Sequence, residues 1–168
     1  MRPELETIPS YYRNYVALVP ESEPVEAMRA SLELMQALVR RLPEDKGGHR
    51  YAEGKWSVRE VLGHLMDGER VFAYRALRFA RGDRTPLPGY DQDLYAPQAN
   101  AAARTLERLA DEMLRLRAST IDLFEGFTPE VLSRSGEANQ NVLSVLALGF
   151  IIAGHERHHL KMLRERYL

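Results

Sequence analysis

Residues Ser144–Tyr167 read SVLALGFIIAGHERHHLKMLRERY, and this stretch decides how the rest of the chain is read. Val145, Leu148, Ile152, His155, His159 and Met162 recur at spacings of three and four, the mark of one helix face. The apolar half of that stripe runs directly into histidine. Three of the chain's five histidines fall between His155 and His159. His155 and His159 stand at i and i+4, so both imidazoles project from the face that Leu148 and Ile152 bury. Imidazoles in an apolar seam need partners for their ring nitrogens, and a divalent metal meets that need for both at once.

Three further segments carry helical periodicity. Val25, Met28, Leu32, Met35, Val39 and Leu42 form one stripe, ended by Pro43. The second opens at KWSVREV, where Ser57 and Glu60 have the spacing of a capping box and Trp56 with Val61 that of a hydrophobic staple. It is expected to reach Arg81, with Gly82 as a left-handed stop. The third holds Leu106, Leu109, Met113, Leu116, Thr120, Leu123 and Phe127; Gly126 stops it, and Thr128-Pro129 caps a short further turn. The fourth is expected from about Asn141 to Arg166. No alternating segment of useful length appears, so little or no sheet is expected. Four amphipathic helices of roughly 20 to 27 residues predict an all-α, four-helix-bundle domain over residues 1–168. The connection 82–99, GDRTPLPGYDQDLYAPQA, is too long for a tight antiparallel turn and reads as a crossover that covers one end of the bundle.

Composition narrows the function. A chain of 168 residues with 45% hydrophobic and 28% charged residues is an ordinary globular domain. Its formal net charge of −1 gives no general attraction for nucleic acid. It has no cysteine, so neither a disulfide framework nor a thiolate ligand or nucleophile is available. No apolar run reaches the length of a membrane span, and the N-terminal residues lack a signal-peptide core, which predicts a cytoplasmic protein without membrane contact.

On the second helix His64 shares a stripe with Val61, Gly68 and Val71, so it too should face inward. Gly63, Gly68 and Gly154 sit beside histidines inside expected helices and suggest that room is being kept there. His64, His155 and His159 from two facing helices, with a fourth position open, are the candidate metal ligands. His158 falls off the best stripe and is expected behind the ligands or exposed, with the i, i+3 pair His155–His158 as the alternative; His49 lies in a loop and is expected at the surface.

The pattern His155-Glu156-x-x-His159 also matches the zinc-protease signature. That reading fails because only Glu165 could complete such a site, and it lies about 9 Å along the same helix. A di-iron bundle fails too, since the second helix has no further Glu-x-x-His and Glu60 is committed to the cap. Asp67, Glu156 and Tyr90 are the candidates for catalytic or ligand-orienting roles. Asp67 and Glu156 are otherwise expected at the surface, paired with Arg70 or Arg157. Asp91 and Tyr95 join Tyr90 as candidates for the pocket mouth.

The segments KWSVREVLGHLMDGERVFAYRALRFARGD, PLPGYDQDLY and SVLALGFIIAGHERHHLKMLRERY together resemble the DinB/YfiT-like superfamily of small metal-binding bundle proteins. The resemblance implies a four-helix bundle with a long crossover, often a homodimer. It implies that His64, His155 and His159 bind a divalent metal, commonly nickel or zinc. For activity it implies a metal-dependent hydrolase or a transferase or isomerase of small molecules using a low-molecular-weight thiol, or a metal-binding protein without turnover. The apolar outer stripe of Val71, Tyr74 and Phe79 is the sequence feature that agrees with a homodimer.

Overall fold

A computed structural model describes residues 1–168. Seven α-helices are α1 (Ser10–Ala17), α2 (Pro24–Val39), α3 (Val58–Ala80), α4 (Gln92–Gln98), α5 (Leu106–Glu125), α6 (Pro129–Ser133) and α7 (Val145–Arg166). A two-stranded antiparallel hairpin, β1 (Ser135–Ala138) and β2 (Asn141–Ser144), precedes α7. The long helices α2, α3, α5 and α7 form a four-helix bundle. No helix is long and apolar enough to cross a membrane.

The helix starts follow from local chemistry. Ser57 and Glu60 form the capping box: the Ser57 amide donates to Glu60 Oε2 at 2.6 Å and the Glu60 amide to Ser57 Oγ at 3.3 Å. Thr105, Thr128 and Ser144 cap α5, α6 and α7 with their side-chain oxygens. Beyond α3, Gly82 takes φ +76°, which costs glycine nothing.

Two apolar clusters divide the core along the bundle axis. One gathers Met28 of α2, Phe72 and Phe79 of α3, Phe124 of α5 and residues 145–153 of α7. The other gathers Met35 of α2, Val58 to Met66 of α3, Leu109 of α5 and Leu163 of α7. From this distribution α3 and α5 run parallel, while α2 and α7 run opposite to them. Two consecutive parallel helices require the chain to return the length of the bundle between them. The connection 82–99 does so. Its Leu87 pairs with the hairpin through Leu87 N–H to Glu137 O (3.0 Å) and Asn139 N–H to Leu87 O (2.9 Å). It then contains α4, capped by Asp91, and passes beside α3, where a methyl on Gly63 would meet Ala101 Cβ at 3.2 Å. The crossover therefore begins at the hairpin and returns along the flank of α3.

Three expectations need correction. The little sheet present is one hairpin whose second strand takes the start of the expected fourth helix, so α7 begins at Val145, not Asn141. Strands of four residues are too short to show alternation, but Asn139 and Gln140, both at positive φ, form the two-residue turn that joins them. Helix α1 is missing from the sequence reading because eight residues hold only about two turns. Phe79, read as part of an outer stripe, is buried at 1% exposure beneath Gly136; Tyr74 alone of that trio is exposed.

Gly154 shows how α1 is held. A methyl group there would overlap the backbone carbonyl of Tyr15, so α1 lies directly on α7 at this point. The reserved space serves a helix–helix contact and not the histidines. We expect Gly154→Ala to cost about 1–3 kcal/mol by overpacking, and thermal unfolding with an unchanged midpoint would contradict this contact.

Candidate metal centre

His64 from α3 and His155 and His159 from α7 meet at the boundary between the two apolar clusters. They are 3%, 6% and 8% exposed. Their ring centroids form a nearly equilateral triangle: 4.9 Å for His64–His155, 4.9 Å for His64–His159 and 4.7 Å for His155–His159. The Nε2 atoms of His64 and His155 stand 3.0 Å apart, and one ring nitrogen from each of the three lies within 4.8 Å of the others. The Nδ1 atom of His159 is buried without a hydrogen-bond partner.

This donor set fits a divalent metal. Tetrahedral Zn–N bonds of about 2.0–2.1 Å put neighbouring nitrogens a little over 3 Å apart. Coordination requires neutral imidazoles, and burial holds all three neutral. It pushes His64 down to about 4. His155 and His159 lie well below the usual range, chiefly through burial and then through the charges of the neighbouring imidazoles.

The flanks of the triad are aromatic. The Trp56 ring lies 4.7 Å from His64, and Tyr15 lies 5.3 Å from His155. Gly68 gives His155 its room, since a methyl there would stand 3.0 Å from His155 Cε1. His155 also lines a cavity of about 530 Å³ shared with Tyr11, Tyr12, Tyr15, Tyr90 and Arg75. Through His155 the triad thus borders a chamber large enough for a small molecule.

The other named residues fall as follows. His158 is exposed and outside the triad, packed against Tyr15 at 5.3 Å; His49 is exposed near Tyr167. Tyr90 lines the cavity, and burial raises its hydroxyl to about 12, so it stays a donor at neutral pH. Asp91 lines the mouth while its carboxylate caps α4; Tyr95 is exposed, 5.3 Å from Tyr90. Asp67 is half-buried and 3.7 Å from Arg70, with its pKa raised mainly by burial.

Glu156 is not a surface residue, as the sequence suggested. It is 1% exposed and 2.7 Å from Arg117 of α5, while Arg157 pairs instead with Glu21 at 2.6 Å. Arg117, itself 1% exposed, also donates from Nε and Nη2 to the two oxygens of Glu69, both at 2.9 Å. Its Nη1 reaches Met28 O and Ser31 Oγ of α2 at 2.9 Å each. One side chain joins all four bundle helices. Burial raises the pKa of Glu156 against the pull of Arg117, and Glu156 Oε1 has no partner. The sequence held one signal for this group: Arg117 occupies a stripe position between Met113 and Thr120, where an apolar residue is expected.

A helical bundle whose core carries three histidines at the edge of an aromatic chamber defines a class of small metal-site proteins. The chain belongs to the DinB superfamily, whose sequence profile matches residues 27–163. A curated protein of Oceanobacillus iheyensis, named as an inferred metal-dependent hydrolase, is 27% identical over 158 residues, covering 84% of this chain and 86% of that protein. Among solved structures, YfiT from Bacillus subtilis superposes with a TM-score of 0.73 at 17% identity over 98% of this chain and 90% of its own. YfiT is described as an inferred metal-dependent hydrolase with an unusual four-helix bundle topology. The mycothiol-dependent maleylpyruvate isomerase superposes at 0.69 and 11% identity, over 82% of this chain and 58% of that enzyme.

Two predictions follow from the burial of these groups. Arg117→Met leaves two buried carboxyls without their cation and should cost about 3–5 kcal/mol; a denaturation midpoint close to wild type would refute the clamp. The histidines give a pH dependence. In the unfolded chain they titrate near 6.5, whereas the folded pKa values are depressed. Above pH ~6.5 neither state binds these protons, and they do not affect stability. As pH falls from about 6.5 toward 4, the unfolded state takes up protons that the fold resists, and stability is lost. Metal-free protein should therefore melt at a lower temperature at pH ~5 than at ~7.5, and equal values would count against neutral, buried imidazoles.

Proposed function

We propose that this protein is a divalent-metal-dependent enzyme acting on small molecules, either a hydrolase or a transferase that uses a low-molecular-weight thiol. One observation carries the reading: three buried imidazoles converge, and one of them, His155, also lines a cavity of about 530 Å³. His64, His155 and His159 would hold the ion, and nickel and zinc are both suited to an all-imidazole set. When bound, such an ion supplies a Lewis acid that makes water or a thiol nucleophilic near neutral pH. That chemistry suits a chain with no cysteine of its own. The name of the Oceanobacillus iheyensis relative supports the hydrolase form, and the mycothiol-dependent neighbour supports the thiol form.

The chain's own residues have definable roles. Trp56 and Tyr15 cover the histidines and keep bulk water from them. Tyr90 keeps its proton at neutral pH and can donate a hydrogen bond to a bound molecule. A metal-storing bundle without turnover is the alternative, and the chamber beside His155 argues against it. A storage site gains nothing from an open face lined by Arg75 and four tyrosines.

Elemental analysis after incubation with nickel or zinc tests the site. Wild type should retain one ion per chain. His64→Ala, His155→Ala and His159→Ala should each lose it, because two imidazoles leave the ion weakly held. His158→Ala should bind like wild type, since its ring lies outside the triad. A wild type without metal, or a His158 variant as deficient as the His159 variant, would overturn the assignment.

A further inference from the structure

Two arginines are buried in this protein, and their surroundings differ. Arg117 has two carboxyls within hydrogen-bond reach. Arg75, 3% exposed, forms no ion pair; its hydrogen bond runs from Nη2 to the carbonyl of Pro88 at 3.0 Å. A guanidinium carries five N–H donors and a permanent charge, and burying it without an anion is costly. What Arg75 does have is a place on the wall of the cavity that His155 also lines. Its Cζ lies 5.9 Å from the Phe72 ring, and that ring lies 5.9 Å from His155. Arg75 and His155 are therefore at most about 12 Å apart, both neighbours of one phenylalanine.

We propose that the cavity binds a small organic carboxylate, with its carboxylate on Arg75 and its reactive end toward the three histidines. The planar guanidinium fork matches a carboxylate in bidentate geometry. Tyr12, Tyr15, Tyr90 and Phe72 line the space between and suit a flat or aromatic body. The fixed negative charge at the wall is Asp91, at the mouth, where Oδ1 already accepts from the amides of Asp93 and Leu94. It stays engaged with α4, and Arg75 has no ion pair with it. The span of at most about 12 Å leaves room for a few bonds between the carboxylate and the reacting group. This assignment of substrate class rests on the reading of the triad as the reactive end, but the anion seat itself does not require metal.

The test uses 3-phenylpropionate and its neutral amide as probes, titrated calorimetrically against the full-length, metal-loaded protein. Wild type should bind the carboxylate about tenfold or more tightly than the amide, as expected for a charge-assisted pair in a buried site. Arg75→Gln should erase the preference, and Arg75→Lys should keep part of it. A purely structural arginine would lower the melting temperature on substitution without affecting the choice between the two probes. If Arg75→Gln does not fold, wild type alone decides: millimolar carboxylate should raise its melting temperature, and the amide should not. His64→Ala protein separates this proposal from the metal reading, because the carboxylate preference should persist there. Equal affinities of wild type for both probes, or a preference that survives Arg75→Gln, would overturn the proposal. A wild type that prefers the carboxylate yet retains no metal would overturn the functional reading and leave the anion seat standing.

Discussion

The bundle turns on one buried cation. Arg117 of α5 binds Glu69 of α3 through two parallel hydrogen bonds, Glu156 of α7 through a third, and the Met28 carbonyl and Ser31 hydroxyl of α2 through Nη1. Apolar clusters above and below supply most of the driving force, but apolar packing tolerates sliding by a turn. Charged groups in a dry core do not, because any register that separates them leaves an unpaired ion. The clamp therefore selects one register of four helices. Glu156 directly follows His155 in sequence, and Glu69 is five residues beyond His64. The clamp thus grips α3 and α7 next to the imidazoles, where His64 Nε2 approaches His155 Nε2 to 3.0 Å.

The same polar layer explains why so many costly groups share one level of the bundle. Histidines, glutamates and an arginine all sit where the two apolar clusters part. Concentrating them there keeps each cluster free of charged side chains. It also lets groups with unmet needs face a common space. Glu156 Oε1 and His159 Nδ1 are both buried without partners, so the layer is not optimised for stability alone. Sites that bind something often keep such atoms, and here they lie beside the histidines.

What could be read from sequence was whatever repeats at helical period. The four long helices, the Ser57–Glu60 box, the Gly82 stop and the inward direction of His64, His155 and His159 all show in spacings of three, four and seven. The parallel course of α3 and α5 was implicit in the length of the 82–99 connection. Pairwise features without a period were not legible. The hairpin is four residues a side, α1 is two turns, and the partner of Glu156 lies 39 residues away on another helix. A glutamate next to an arginine in sequence looks like a surface pair. Helical geometry sends Glu156 and Arg157 about 100° apart, one to Arg117 and the other to Glu21.

The glycines show how far a local reading can go. Gly63, Gly68 and Gly154 all sit beside histidines, and the sequence gives them one shared purpose. The structure separates them into three. Gly68 does make space for His155, at 3.0 Å from where its methyl would stand. Gly63 admits Ala101 of the returning crossover, and Gly154 admits the backbone of α1 at Tyr15. The last two act on the site at one remove. The crossover carries Tyr90 and α1 carries Tyr11, Tyr12 and Tyr15, four of the cavity's walls. Close approach of these two segments to the bundle converts a buried histidine cluster into one side of a chamber. The histidine spacing alone describes a candidate metal site; the small residues around it are what let His155 border a cavity.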